Sequence, residues 1–561
     1  ALTLAGCSGD DSGSSDGKPT VVTSTNVWGA VASAVAGDKA SVTVLFNDPT
    51  GDPHEFEPSA ADSAKVIDAD VVLMNGGHYD EYMEKASQNA KGSVINAFDT
   101  MTGHHEDTDH SAHGETNEHV FYNLPVVGQV ATELADDLAR ALPRTGVTGA
   151  VTLGIVEPQG AHVVATCDLR PYGDDAGGAW WVASDPTEHA RSGPLPVDHV
   201  LGIGGASSTL ASWTPRPRVA RALDVGTGCG VQALHLSGHA DAVVATDLSR
   251  RALGYAAFNA ALNEQDWDLR EGSFLEPVAG EAFDLIVSNP PFVITPRTAD
   301  VPLYEYRDGG AAGDAVVAAL TQQVGAHLAP GGIAQLLGNW ESVAGQDWRE
   351  RVGEWVAASG LDAWVVQRDV QDPAEYAELW SRDGGHLPGT SEHEALVGAW
   401  LDDFEQRGVE QIGFGVITLH RPTSRRAPFV DLVEATGPVA SPMGPAIAAG
   451  LVARDRLAGL DDDALLDTAW RCADDVTTET HAAPGASDPH VIVLRQGGGL
   501  ARSIRLDTLD AALVSVCDGE LTARQSLTAI SALLDLPTGE ALGAGAGLVR
   551  RLAADGLLLP G

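Results

Sequence analysis

Three glycines alternate in Asp224-Val225-Gly226-Thr227-Gly228-Cys229-Gly230, directly after the apolar run Ala220 to Val225. Glycine tolerates positive φ and lets the backbone approach a ligand closely, so this turn is suited to cradling a small molecule. One strand later the chain reads Thr246-Asp247-Leu248-Ser249, and a carboxylate at Asp247 is placed to accept hydrogen bonds from both hydroxyls of a ribose. Two features argue against a nicotinamide dinucleotide. The order is Asp-x-Gly-x-Gly-x-Gly rather than Gly-x-Gly-x-x-Gly. A later strand, Phe283 to Ser288, runs into Asn289-Pro290-Pro291-Phe292, which a dehydrogenase does not need.

These residues need a scaffold that brings strand ends together. Strand signals at Ala220 to Val225, Asp241 to Ala245, near Leu269 and at Phe283 to Ser288 alternate with helical ones at Val231 to Ser237 and Arg251 to Leu262. Ile333 to Leu337, Ala363 to Gln367 and Ile412 to Leu419 read as further strands. Such alternation predicts an α/β fold with a doubly wound sheet. Ligands of such sheets bind at the carboxyl ends of the strands, near the switch point.

The glycine turn, Thr246-Asp247-Leu248-Ser249 and Ser288-Asn289-Pro290-Pro291-Phe292, at these spacings, resemble class I S-adenosylmethionine-dependent methyltransferases of the "small" N-methyltransferase group. That group includes release-factor glutamine methyltransferases and rRNA or tRNA base methyltransferases. The resemblance is tight over 200–340 and looser to 422. It implies a seven-stranded Rossmann-like core with S-adenosylmethionine as cofactor. It puts Asp224, Gly226 and Gly228 along the methionine end, Asp247 at the ribose, and Gly272-Ser273-Phe274 near the adenine. Thr227, Gly230, Leu248 and Asn289 complete the implied cofactor set.

The same resemblance makes Asn289, Pro290, Pro291 and Phe292 the catalytic group. Methyl transfer from a sulfonium to nitrogen is an in-line displacement, and an amide or aromatic amine is a poor nucleophile. The Asn289 side-chain oxygen and the Pro290 carbonyl can each accept one N–H, which holds the nitrogen and aims its lone pair. Proline fixes the backbone, and Phe292 offers a face to a planar amide or flipped base. No strong base is required. Arg307 and Asp308, in Tyr304-Glu305-Tyr306-Arg307-Asp308, either contact substrate or form a helix-entry ion pair, and Ser207-Ser208-Thr209 can touch the cofactor carboxylate.

The basic residues divide the chain. All five lysines lie at or before Lys91, and the 29 arginines begin at Arg140. Such a partition reads as a chimeric fusion of two chains of unrelated origin near Ala139-Arg140, hidden within one helix over Ala131 to Leu142. Residues 1–139 open with Leu4-Ala5-Gly6-Cys7, a lipobox-like start that makes a membrane-anchored lipoprotein one reading. The charged n-region and most of an apolar h-region are missing, which gives a cytoplasmic location as the expectation. Asp52-Pro53-His54-Glu55-Phe56-Glu57-Pro58-Ser59 and Glu118-His119-Val120-Phe121 flank the His-rich tract His104 to His113. Imidazoles with carboxylates suit Zn²⁺ or Mn²⁺. This piece resembles the N-terminal lobe of zinc/manganese ABC-transporter solute-binding proteins. The resemblance implies His54 and His119 as metal ligands and an ABC permease as partner if the fragment functions.

The expected domains are a lipobox and tether over 1–17, a metal-binding half-lobe over 18–139, an accessory segment over 140–215, the methyltransferase over 216–422 and a mostly helical, winged-helix-like domain over 423–561. Residues 370–410 read as a helical insertion and candidate lid. No apolar run is long enough to span a membrane, and five scattered cysteines form no CxxC pair. The resulting expectation is a methyltransferase acting on an RNA or DNA base or on a protein glutamine; the alternative is an extracytoplasmic metal-binding lipoprotein with an appended domain. Phe292 leans towards a nucleobase, and the net charge of −44 leans away from nucleic acid.

Overall fold

The computed structural model describes residues 18–37, 39–47, 53–56, 58–102, 120, 124–141, 156–159, 162–174, 177–187, 194–298, 301–485 and 488–561. They fall into two compact units, 1–170 with 189–192 and 171–188 with 193–561.

The first unit is built on β1 (Thr20–Thr25), α1 (Asn26–Ala36), β2 (Ser41–Phe46), α2 (Ala60–Asp68), β3 (Val71–Met74), α3 (Glu81–Ser87), β4 (Ser93–Asn96), α4 (Ala97–Thr102) and α5 (Leu124–Ala141). The strands form a parallel sheet in the order β2-β1-β3-β4. Val21, Val71 and Leu73 face one core with Trp28, while Val22 and Val72 face another with Met83, the period-two alternation of a sheet covered on both faces. The passage from Lys to Arg at 139–140 falls inside α5, an unbroken helix. β5 (Val156–Gln159) and β6 (His162–Ala165) pair antiparallel further on. His54 sits in the short helical turn Pro53–Glu55, exposed, with its ring 5.1 Å from that of Tyr79. His119, Cys7 and the tract His104 to His113 lie outside the described residues. Among the described residues no group of three His, Cys, Asp or Glu side chains could hold a metal, and no helix is long and apolar enough to cross a membrane.

The second unit carries the site. β7 (Asp168–Gly173), of which residues 171–173 belong to this unit, and β8 (Ala179–Ser184) form a hairpin, and α6 (Gly205–Trp213) follows. Then come β9 (Val219–Val225), α7 (Val231–Ser237), β10 (Ala240–Asp247), α8 (Arg250–Leu262), β11 (Trp267–Glu271), β12 (Phe283–Ser288), α9 (Ala315–Gln323), β13 (Leu328–Val343), α10 (Trp348–Ser359) and β14 (Asp362–Gln371). α11 (Pro373–Asp383) and α12 (Ser391–Arg407) precede β15 (Val409–His420) and β16 (Val430–Glu434). The sheet order is β11-β10-β9-β12-β13-β15-β14-β16. β11 through β13 are parallel, and β15 is antiparallel to both its neighbours. The first seven strands are the expected ones. The eighth, β16, extends the edge parallel to β14, beyond residue 422, because Leu432 packs on one face of the sheet and Val433 on the other.

The segment expected as accessory is built into this core: Val182, Val200, Leu210 and Trp213 are buried with Ala222 and Leu285. A stripe at every fourth position of α8 holds it there. Arg251 and Tyr255 donate to the Asp185 carboxylate, the hydroxyl at 2.9 Å. Asn259 accepts from Ala183 N–H and donates to the Ala183 and Cys229 carbonyls, each at 2.8 Å. Asn263 accepts from Trp181 N–H at 2.9 Å and donates to its carbonyl at 2.8 Å.

Beyond the sheet stand α13 (Gly444–Ala458), α14 (Asp462–Leu466), β17 (Ala469–Cys472), β18 (Val476–His481), β19 (Val491–Gln496), β20 (Ser503–Leu506), α15 (Thr508–Ser515), β21 (Asp518–Thr522), α16 (Ala523–Leu533), α17 (Thr538–Ala554) and β22 (Leu558–Pro560). Beside the expected helices, short strands form two three-stranded sheets, β21-β17-β22 and β18-β19-β20. Arg550 is tied to the Leu457 and Leu460 carbonyls and to Asp462, so it is a strut of this region.

Replacing fully buried Asn259 by alanine strands Ala183 N–H and two carbonyls away from water. The Asn259→Ala variant is expected to lose about 3 kcal/mol, read as a lower urea midpoint for the tryptophan fluorescence of the second unit; an unchanged midpoint would refute the clamp.

Candidate cofactor and transfer site

The register of the parallel strands levels three strand ends: Val225 lies opposite Thr246 of β10 and Ser288 of β12. Just past those ends the backbone N–H groups of Gly226 and Thr227 both donate to the Thr246 carbonyl, at 2.9 and 3.0 Å. The Ser288 hydroxyl donates to the Val225 carbonyl at 2.7 Å, tying the strand before Asn289 to the strand before the glycine turn. Gly226 and Gly228 take φ of 72° and 57°, a left-handed backbone that a side chain would strain.

The Asp247 carboxylate is held at both oxygens, by Gly228 N–H and Ser249 N–H, each at 2.8 Å. Burial raises its pKa above the ordinary carboxylate value, and nearby Glu305 adds to the rise. Two backbone donors fix the group without using all its lone pairs, so it can still accept from a diol.

Asp247 belongs to a cavity of about 260 Å³. Of the residues expected at the cofactor or the reaction, Gly226, Thr227, Gly228, Asp247, Leu248, Ser273, Phe274, Asn289 and Pro291 line it. Leu248 is an exposed apolar lip. Phe274 has φ of 44°, uncommon for a side-chain-bearing residue, and its carbonyl accepts from the Thr246 hydroxyl at 2.9 Å. Ser207 also lines the cavity.

Five expected residues are placed outside the lining, Gly272 beside Ser273 among them. Asp224 is buried, with Oδ2 accepting from the Thr227 hydroxyl at 2.7 Å and from Ala233 N–H at 3.1 Å. It braces the turn, and burial pushes its pKa up to about 7. Gly230 starts α7, where a Cβ would stand 2.6 Å from the Trp267 ring. Pro290 spans the motif, and half-buried Phe292 packs edge-on to Trp380, ring centroids 6.2 Å apart.

Asn289 Oδ1 is buried and has no hydrogen-bond partner among the described residues. A buried acceptor left unpaired is costly unless a ligand donor meets it. The glycine cradle, the Asp247 acceptor, the apolar Leu248 and Phe274 and this orphan oxygen together fit S-adenosylmethionine with an N–H acceptor substrate.

The chain after the motif doubles back. Phe292 bridges to Asp308, and Val293 N–H donates to the Arg307 carbonyl at 2.9 Å. The helical insertion grips this loop. The fully buried Tyr376 hydroxyl accepts from Ile294 N–H and the Asn339 amide, each at 2.8 Å, and Trp400 Nε1 donates to the Ile294 carbonyl at 2.7 Å. Arg307 donates to Asp383 and to the Trp380 carbonyl and takes no part in the lining. No residue of α11 or α12 lines the cavity, so the insertion expected as a lid is a wall behind the loop.

His199, Gln232, Glu305 and Tyr306 line the cavity without any sequence signal. Their placement is tertiary: Glu305 N–H donates to the Val197 carbonyl at 2.9 Å, and the Tyr306 hydroxyl donates to Asp383 at 2.6 Å. Asp308, read from sequence as substrate contact or ion-pair partner, lines the cavity while also pairing with Arg297 at 2.7 Å.

Residues 202–346 match the family model described as Methyltransferase small domain, and residues 21–147 match that of Zinc-uptake complex component A periplasmic. The chain is 36% identical over 175 residues to the release factor glutamine methyltransferase of Deinococcus radiodurans, covering 25% of this chain and 61% of that protein. It is 30% identical over 194 residues to the ribosomal protein uL3 glutamine methyltransferase of Bradyrhizobium diazoefficiens, covering 30% and 60%. It is 40% identical over 92 residues to the manganese-binding lipoprotein MntA of Halalkalibacterium halodurans, covering 16% and 30%. The chain thus spans less than two thirds of the length of each of these relatives. It carries a methyltransferase-type domain joined to a segment like a metal-uptake lipoprotein. The second match runs on to residue 147, past the change from Lys to Arg.

Because the Asp224 pKa stands above the ordinary 3.8, the folded state binds the extra proton between about pH 4 and about pH 7. Stability is therefore expected to fall as pH rises through that window. Asp224→Asn should flatten the fall, seen by comparing unfolding midpoints of both proteins at about pH 4.5 and about pH 8; parallel slopes would refute it.

Proposed function

We propose that the second unit is an S-adenosylmethionine-dependent N-methyltransferase whose acceptor is the amide nitrogen of a protein glutamine. The observation that carries the reading is the buried, unpartnered Asn289 Oδ1 in the same cavity as the glycine turn and Asp247. The bound cofactor supplies an electrophilic methyl group. The chain supplies position: Asn289 Oδ1 accepts one N–H of the amide, and the carbonyl of the adjoining Pro290, behind the lining, is the acceptor proposed for the other once substrate is seated. The prolines stiffen the segment that bears both acceptors. Holding the nitrogen so that its lone pair faces the methyl removes much of the orientational cost of displacement.

Glutamine is preferred to a nucleobase on two grounds. The relatives matched along this domain are named for methylating glutamine in a release factor and in ribosomal protein uL3. Among the described residues no Lys or Arg lines the cavity, which gives a phosphate backbone nothing to pair with there. Phe292, the residue that favoured a stacked base, is packed against Trp380. The match over 21–147 gives the first unit a second reading as a divalent-metal-binding segment through His54 and His119. Of these two, His54 is exposed and His119 lies outside the described residues.

A labelled methyl-transfer assay tests the function. With methyl-labelled cofactor and a ribosome-plus-soluble extract, label is expected in protein, released as N-methylglutamine on digestion. Asn289→Ala should cut it by on the order of 100-fold while leaving the fold intact by circular dichroism. Label in RNA would move the substrate to a base, and label insensitive to Asn289 would remove the residue from its role.

A further inference from the structure

Asp308 is the least explained polar group of the cavity. Its side chain is 2% exposed. Oδ1 accepts from Arg297 at 2.7 Å and from Gly310 N–H at 2.9 Å. Oδ2 is buried with no hydrogen-bond partner among the described residues. Arg297 offsets the charge through Oδ1, but a buried Oδ2 without a partner stays unfavourable unless a donor or a positive charge meets it.

Its position says which charge. Asp308 bridges to Phe292, three residues past Asn289. The next residue, Gly309, comes so close that a Cβ on it would stand 2.9 Å from the Pro291 carbonyl. Asp308 therefore borders the segment where the methyl must meet the nitrogen. Glu305 adds a second carboxylate at the exposed rim, close enough to Asp247 to raise its pKa. Among the described residues the lining holds three carboxylates, Asp247, Glu305 and Asp308, and no Lys or Arg, with Arg297 paired to Asp308 from outside it.

We propose that Asp308, assisted by Glu305, makes this cavity charge-selective, holding the cationic sulfonium form of the adenosyl cofactor in preference to the neutral thioether. The proposal rests on the methyltransferase reading. On transfer the C–S bond breaks and its electron pair stays on sulfur, which loses its charge. The new C–N bond uses the nitrogen lone pair, and the nitrogen then gives a proton to solvent. The attraction that seats the cofactor thus vanishes with the reaction, so the spent cofactor leaves and the next cation enters. Asp308 is a specificity-determining residue in this scheme, and its charge also suits the positive charge that develops on the nitrogen.

Calorimetric titration of the full chain with S-adenosylmethionine and with S-adenosylhomocysteine, at low and high salt, tests it without any acceptor substrate. The wild type is expected to bind the sulfonium about tenfold or more tightly than the thioether at low salt, and Asp308→Asn should lower that ratio by about tenfold, or about 1.4 kcal/mol. Glu305→Gln, at an exposed position, should lower it by about twofold to threefold, with the effect shrinking in high salt. A wild-type ratio near or below one overturns the proposal. So does an unchanged ratio in an Asp308→Asn protein with native circular dichroism. If that variant does not fold, Glu305→Gln decides, and an unchanged ratio overturns the proposal. A wild type that binds neither ligand sinks the methyltransferase reading and this inference with it, whereas equal binding of both sinks charge selectivity alone.

Discussion

The site depends on the register of three parallel strands. Val225, Thr246 and Ser288 stand level across β9, β10 and β12, so the residues that follow them emerge side by side. A one-residue slip would exchange the two faces of a strand, burying what should emerge and exposing what should be buried. The alternation of Leu285, Ile286 and Val287 between two cores forbids that slip. The Ser288 hydroxyl on the Val225 carbonyl fastens the two central ends directly. Because β10 lies on one side of β9 and β12 on the other, no crossover connection covers the ends between them. The cavity is a consequence of strand order before it is a consequence of any side chain.

Its walls are set by two clamps from opposite directions. The α8 stripe from Arg251 to Asn263 binds β8 and the Asp185 carboxylate, and Val200 N–H donates to that same carboxylate at 2.8 Å. This fixes the approach of His199 to Gly202 along one side. On the other side the insertion holds the loop after Phe292 through Tyr376, Trp400 and Arg307. Both clamps pair buried polar side chains with backbone groups. Such contacts define one arrangement, since any shift leaves a polar group unpaired.

What was legible in the sequence was local. The glycine turn, Asp247 and Asn289 stand at single strand ends and line one cavity, so each could be found from its neighbours. Asp224 and Gly230 belong to the same pattern but work from beneath it, one bracing the turn and one making room for Trp267; a motif gives position in the chain and not depth. His199, Glu305 and Tyr306 reach the cavity only through contacts between distant segments, and nothing in their immediate sequence marks them. The insertion was legible as helices, but its role was not, because a wall and a lid have the same periodicity. β16 and the strands after residue 468 are three to six residues long, too short for alternation to separate them from loop.

The charge of the chain and the chemistry of the cavity meet in the arginines of the second unit. Arg454, 5% exposed, lies 3.8 Å over the Trp364 ring and joins Asp431 to Asp555. Arg426 joins Asp362 to Asp455, and Arg351 joins Asp314 through two nitrogens. A planar guanidinium with several fixed donors suits such bridges better than an ammonium, which accounts physically for a unit stabilised with arginine alone. Each bridge commits a cation to the scaffold, and the carboxylates that remain outnumber what is left to pair with them. The cavity shows that imbalance among the described residues: Asp247, Glu305 and Asp308 line it, and Arg297 is engaged at Asp308 Oδ1. On the reading proposed above, a lining with three carboxylates suits a small cationic cofactor better than a polyanion.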